Sequence, residues 1–328
     1  MSEKASDGLF GSGQLGLFGG APKAEPGEGL TALGAALPPW MRMGTSSWTF
    51  PGWEGLVYQR SYGSKARFLR ESLAEYARYP LFRTVGIDRS YYAPLEREEL
   101  QRYASQLPDD FRCVSKVWSE ITTRIFPRHH KRAGQVNARF LDPELFRSAF
   151  NVYGEAFAAH AGPFVVEIPP AAGPVNAPGF ARSVDRFLTE IDGKAPAPFG
   201  FELRDRRLFS ARYLEILRAH GATHVFNAWS QMPAIRTQLQ WTGGLVGPVL
   251  VARLMLPPQT KYEDLKARFA PFDRIIEPQP AMRADALQLF ALAAEATVPA
   301  YMLVNNKAEG SSPKTVEALA RAWLERDR

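Results

Sequence analysis

The sequence predicts a single α/β domain, a (β/α)8 barrel of the TIM type, behind a disordered N-terminal tail. Three observations predict it. Eight strand-like runs between residues 41 and 305 are each followed by helical sequence, and parallel neighbours need such crossover connections. No GxGxxG loop follows any of these runs, which counts against an open doubly wound sheet. Each run also ends in polar residues, as expected where a closed barrel opens to solvent at the C-terminal ends of its strands.

Taken in order, residues 1 to 38 are rich in Gly, Ala, Pro and Ser with isolated Leu and Phe. That is too little apolar surface to offset the entropy of ordering, so disorder is expected. Met41 to Ser46 is the first strand, and Lys65 to Tyr79 an amphipathic helix with Phe68, Leu69, Leu73 and Tyr76 on its apolar side. Arg83 to Asp88 is the second strand; a helix over Arg97 to Leu107 ends before Pro108, and Phe111 to Val117 is the third strand. Pro143 to His160 is a helix with Asp142 as N-cap, Pro143 in the first helical position and Gly162 beyond its end. Pro163 to Ile168 is the fourth strand and Phe180 to Ile191 its helix. Phe199 to Arg204 is the fifth, followed by Ala211 to His220 with Gly221 as the stop. Thr223 to Asn227 is the sixth strand, with a weaker helix over Pro233 to Trp241. Pro248 to Met255 is the seventh, followed by helices at Tyr262 to Phe269 and Met282 to Ala296. Pro299 to Asn305 is the eighth, and Ser312 to Leu324 closes the series with Ser312 as N-cap and Pro313 just inside.

Composition bounds the function. A chain of 328 residues, 45% hydrophobic, can bury a large core. The single cysteine, Cys113, lies in an apolar run, which excludes a disulfide framework and a thiolate zinc site and fits a reducing cytoplasm. No uninterrupted apolar run approaches the ~20 residues of a membrane helix, and no basic-then-apolar leader opens the chain, so a cytoplasmic protein without membrane association is expected. Net charge is +6, while residues 1 to 40 carry −2 and so leave about +8 on the remainder. A basic folded part permits an acidic partner.

Period-two alternation sorts the strand ends. In Phe199 to Phe209, Phe199, Phe201 and Leu203 share one face, and Gly200, Glu202 and Arg204 the other. A charged pair on the inner face of a strand is expensive to desolvate and needs partners or a role. Strand-end position brings Thr45 and Ser46, Asp88, Lys116, Glu167, Asn227, Arg253, and Asn305 with Asn306 to the mouth, and alternation places Asp88, Lys116, Glu167, Arg253 and Asn305 on the faces of Gly86, Val114, Val165, Val251 and Leu303. Glu202 is the expected general base, oriented by Arg204, with Lys116 and Asp88 as further catalytic groups and Arg253 as an anion contact. A rival reading is a divalent metal, Mg²⁺ or Mn²⁺, on Glu167, Glu202 and Asp88. A purely structural Glu/Arg pair is the third.

Beyond the third strand, Arg124, Arg128, His129, His130, Lys131, Arg132 and Arg139 occupy a stretch with no acidic residue. Rising from the face that bears the site, such a loop favours phosphate, whether free, on a sugar or in nucleic acid. Trp48, Trp53, Tyr91, Tyr92 and Trp118 would add aromatic surfaces at the rim, or else core packing there.

These residues together resemble the YecE-like family, known as domain of unknown function 72. The resemblance runs in order through Met43 to Trp53 (MGTSSWTFPGW), Tyr58, Thr84 to Tyr92 (TVGIDRSYY), Phe111 to Lys116 (FRCVSK), Ile121-Thr122, Ile168 to Pro170, Glu202 to Arg204 and Asn305-Asn306. It implies a (β/α)8 barrel over residues 42 to 325 and an address for the site, without a reaction. This chain departs from the family pattern at Gly86 (usually Glu), Asp88 (Asn), Thr123 (His) and Glu167 (Gln), and Met255-Leu256 replaces the usual His-Gly after Arg253-Leu254. Within the tail, Gln14, Leu15, Gly16, Leu17 and Phe18 resemble the short peptide by which bacterial polymerases and repair proteins dock onto the DNA sliding clamp, and a flexible tether suits such docking.

The expected function is an enzyme, hydrolase- or nuclease-like or else lyase- or isomerase-like, acting on a phosphate-bearing substrate, with nucleic acid in replication or repair as one candidate. Two alternatives stand beside it: a non-catalytic clamp-associated or anion-binding module, and a sugar-phosphate isomerase or aldolase.

Overall fold

The computed structural model describes residues 28–127, 130–170, 173–191, 197–257, 260 and 262–326. Eight strands alternate with helices along it. The order is α1 (Glu28–Ala36), β1 (Met41–Thr45), α2 (Lys65–Tyr76), β2 (Thr84–Ile87), α3 (Arg97–Ala104), β3 (Arg112–Lys116), α4 (Ser119–Thr122), α5 (Pro143–Ala156), β4 (Ala161–Ile168) and α6 (Ala177–Ile191). It continues with β5 (Phe199–Leu203), α7 (Ala211–Ala219), β6 (Thr223–Ala228), α8 (Ile235–Thr242), β7 (Leu250–Leu254), α9 (Tyr262–Phe269), α10 (Pro280–Glu295), β8 (Ala300–Val304) and α11 (Ser312–Glu325). All neighbours pair in parallel, and β8 pairs with β1, so the sheet closes as a (β/α)8 barrel. Every expected strand is present within one or two residues of its expected bounds.

Closure divides the apolar side chains into two sets. Val114, Val165, Val225, Val251, Tyr301 and Leu303 fill the barrel, one layer below the strand ends. The alternate residues, such as Cys113, Phe164, Phe201 and Phe226, face outward into the larger core shared with the helices. Burial pushes the Cys113 thiol pKa up, so it stays an inert thiol. His224 also faces outward, within 3.2 Å of the Tyr213 hydroxyl. Burial lowers its pKa to about 3, so it is a neutral packing residue.

The local signals mostly act as expected. Asp142 caps α5 by accepting from the Glu144 and Leu145 amides at 2.9 and 3.1 Å, and Gly221 takes a left-handed φ of 60° after α7. Two expectations are corrected. Residues 28–36, expected in the disordered tail, form α1, because Leu30, Leu33 and Leu37 recur at helical spacing and Leu33 and Leu37 are buried in the core. Arg83 donates to the carbonyls of Gly34, Leu37 and Pro38, satisfying the end of that helix. At the other end of the chain, Ser311 rather than Ser312 is the N-cap of α11. No helix among the described residues is long and apolar enough to cross a membrane.

β1 and β2 lie close enough that only glycine fits at Gly44, where an added Cβ would overlap the Thr84 carbonyl. Gly29, exposed on α1, has nothing within 4 Å of such an atom. Gly44→Ala is therefore expected to destabilise the protein by about 2–3 kcal/mol in urea unfolding, whereas Gly29→Ala should add up to about 1 kcal/mol.

Candidate active site at the barrel mouth

One layer above the valines, the inner-face residues of five strands or their exits form a single network. Arg253 on β7 is 1% exposed and reaches across the mouth. Its Nη1 donates to Glu167 Oε2 on β4 at 2.9 Å and to Glu202 Oε2 on β5, and its Nη2 lies 3.8 Å from Asp88 Oδ1 at the exit of β2. Arg204 donates through Nε to Glu202 Oε1 at 3.0 Å and places Nη2 2.8 Å from Glu167 Oε2. Lys116 on β3 lies 2.8 Å from Glu167 Oε2 and 3.3 Å from Asp88 Oδ1. Three cations thus face three carboxylates. The register makes this possible, since Glu167 pairs with Glu202 across β4 and β5.

The electrostatics follow from that balance. Burial alone would raise the Glu167 carboxyl pKa, but Arg204, Lys116 and Arg253 outweigh it and hold the group well below the usual carboxylate range. Its pairing therefore contributes full stability above about pH 4.5, lost as the pH falls through the lowered value. Burial opposes the charge on Arg253, yet Glu202, Glu167 and Asp88 raise its pKa further above its ordinary value. Aromatic rings complete the walls. The Lys116 ammonium sits 4.8 Å from the centroid of Tyr91 and the Arg204 guanidinium 4.1 Å from that of Trp229.

Exposure separates roles within the network. Glu202 is 0% exposed with both oxygens engaged by arginines, so it is sealed beneath the mouth. Asp88 and Lys116, at 24% and 12%, are the most exposed of the six. Asp88 is the carboxylate most open to solvent, and Lys116 the cation beside it. A divalent metal on Asp88, Glu167 and Glu202 fits poorly, because their oxygens already face Lys116, Arg204 and Arg253. Among the described residues no group of three or more His, Cys, Asp or Glu is arranged to hold a metal ion.

The remaining sequence-derived candidates scatter. Ser46 stays at the mouth, donating to Met255 Sδ at 3.5 Å. Thr45 points outward, its Oγ1 donating to the Ser47 carbonyl and lying 2.8 Å from the Tyr76 hydroxyl. Trp48 is core packing, edge-on to Tyr103 at 5.1 Å. Asn305 accepts from the Lys307 amide, and Asn306 accepts from Trp53 Nε1 and from the amide and hydroxyl of Ser312, so both hold the turn into α11. Tyr92, 60% exposed, stands on the rim. Arg124 lies 3.9 Å from Asp205, while Arg128 and Gln14 to Phe18 fall outside the described residues. The basic run finds acids from elsewhere: Arg132 pairs with Glu120 and stacks on Phe126, which His130 covers at 4.5 Å. Sequence reading missed Trp229 as a site residue. The signal was there, since residues 225, 227 and 229 keep one parity past the end of β6.

Comparisons agree with this architecture. The family model described as "Protein of unknown function DUF72" matches residues 42–328. A DUF72 family protein of Enterococcus faecalis is similar in structure, with a TM-score of 0.58 and 15% identity over 87% of this chain and 97% of that one. A DUF72 family protein of Thermotoga maritima gives a TM-score of 0.51 and 16% identity over 87% and 99% of the two chains. At that identity they bear on the fold alone. No curated protein matches the sequence.

Removing the central cation should leave buried, uncompensated carboxylates. Arg253→Met is expected to cost about 3–5 kcal/mol in chemical denaturation, and adding Glu202→Gln to recover part of the loss.

Proposed function

Since the chain belongs to the DUF72 family, we propose that it is a barrel enzyme acting on a phosphate-bearing substrate, with Lys116 and Asp88 as the acid–base pair and Arg124 as a phosphate contact. The observation that carries this reading is the exposure gradient: Glu202 and Arg253 are sealed, Glu167 and Arg204 are nearly so, and Asp88, 3.3 Å from the Lys116 ammonium, is the most open group at the C-terminal mouth. Arg124 supports the phosphate, because its Nε and Nη2 are buried without a hydrogen-bond partner and the Asp205 carboxylate stands 3.9 Å away. Glu167, Glu202, Arg204 and Arg253 then form a rigid charged platform that fixes the pair, as preorganisation requires. Complete mutual pairing of the six charges favours a second reading, a binding module without turnover.

Screening phosphorylated metabolites and oligonucleotides for turnover by mass spectrometry separates the two. Lys116→Met and Asp88→Asn should each lower turnover by about 10²–10⁴-fold with the fold intact. Turnover at wild-type rate in both variants would overturn the assignment, and binding without any turnover would favour the module.

The QLGLF peptide supports docking to the bacterial DNA sliding clamp. Micromolar binding of the full chain to the clamp from its own source is expected, abolished by Leu17→Ala with Phe18→Ala. Equal binding by native and doubly substituted chains would remove this support.

A further inference from the structure

Three polar atoms at the side of the mouth where β6 and β7 open are buried without a hydrogen-bond partner: Arg253 Nη2, Asn227 Oδ1 and Trp229 Nε1. They lie close together in the fold. Asn227 and Arg253 are register partners across the β6–β7 ladder, and Trp229 follows Asn227 by two residues on the same face. Both Asn227 and Arg253 are more than nine-tenths buried. The rest of each group is engaged: Asn227 Nδ2 donates to the Leu203 carbonyl at 2.9 Å, Arg253 Nη1 serves Glu167 and Glu202, and the Trp229 ring carries Arg204. Arg204 Nη2 also lacks a hydrogen bond but faces Glu167 Oε2 at 2.8 Å, whereas Arg253 Nη2 has only the 3.8 Å ion pair with Asp88. Two donors and one acceptor are therefore left without a hydrogen bond on this side of the mouth, where unpaired buried groups are costly.

That set has a chemical complement. A hydroxyl donates one hydrogen bond and accepts two, whereas an oxyanion only accepts and would be pressed against Glu167 and Glu202. The six charges of the network also cancel, so this floor offers no net positive field for a dianion. The unpartnered cationic donors suited to phosphate are on Arg124, which comes from the loop after β3.

We propose that the floor beside Arg253, Asn227 and Trp229 is a hydroxyl-binding subsite, and that the substrate is a phosphorylated sugar or polyol with a hydroxyl against this floor and its phosphate toward Arg124. This rests on the phosphate reading of the mouth and narrows it to a substrate class.

The test is calorimetric titration of the full chain with ribose 5-phosphate, glucose 6-phosphate and glycerol 3-phosphate, against inorganic phosphate. At least one phosphorylated polyol should bind about tenfold or more tightly than inorganic phosphate. Trp229→Phe, which keeps an aromatic ring against Arg204 and deletes the N–H, should remove that margin and leave the affinity for inorganic phosphate unchanged. Arg124→Met should weaken both. If polyol phosphates bind no better than inorganic phosphate, or the margin survives Trp229→Phe, the hydroxyl subsite is wrong while the phosphate reading stands. If no ligand binds, inorganic phosphate included, both readings fall together. Should Trp229→Phe not fold, the comparison moves to the ligand: each binding sugar phosphate is titrated beside its single-deoxy analogues on the wild-type protein, and equal affinities throughout overturn the subsite.

Discussion

The Arg253 guanidinium is the group on which the mouth of this barrel depends. Ladder hydrogen bonds tie each strand only to its neighbours, whereas Arg253 on β7 meets carboxylates from β4, β5 and the exit of β2. Taking an ion out of water costs several kcal/mol after relaxation, and that is offset only when geometry and hydrogen bonding are good for every member. No member can therefore be displaced alone. Glu202 is held at both oxygens by two arginines, and Glu167 collects Arg253, Arg204 and Lys116 at one oxygen. A network of this kind specifies the relative positions of non-adjacent strands, which apolar packing specifies less sharply.

The layer below makes the network effective. Valines from β3, β4, β6 and β7, with Leu303, exclude water from the barrel beneath the charges, so their mutual field is poorly screened. Above them, screening returns at Asp88 and Lys116. The site is thus graded from a dry, fixed floor to a wet, accessible rim. Such grading leaves the rim charges open to solvent while the floor charges hold one another in place.

Much of this was legible because two regularities act together. Period-two alternation selected the inner-face residues on each strand, and barrel closure converts that list into one spatial cluster; Asp88, Lys116, Glu167, Glu202, Arg204 and Arg253 were all found this way. Alternation says nothing of depth, however. Its own strand shows Glu202 only as a base that Arg204 can orient, and the guanidinium that seals it arrives from a strand 51 residues away. Asn305 had the right parity and Asn306 only a strand-end position, but asparagine is equally suited to capping turns, and local backbone amides take both side chains. Charge runs mislead similarly. The stretch after β3 lacks acids in sequence, yet Glu120 meets Arg132 in space, while Asp205 comes no closer to Arg124 than 3.9 Å. The helix α1 was hidden by composition, since three leucines among Gly and Ala carry little weight until Arg83 and the core supply the rest.

The positions where this chain departs from its family's pattern acquire a physical meaning in that light. With Asn and Gln at positions 88 and 167, Lys116 would face amides, and Arg253 would keep Glu202 but lose its other two carboxylates. Here Asp88 and Glu167 are carboxylates, and both contact Lys116. Gly86, where a glutamate is usual, lies against the Ser46 backbone so closely that no side chain fits without movement. The mouth thus holds three carboxylates for three cations. Balance has a consequence for recognition. A mouth with surplus positive charge would hold any anion, whereas a neutral floor discriminates by hydrogen-bond direction, which favours ligands that both donate and accept.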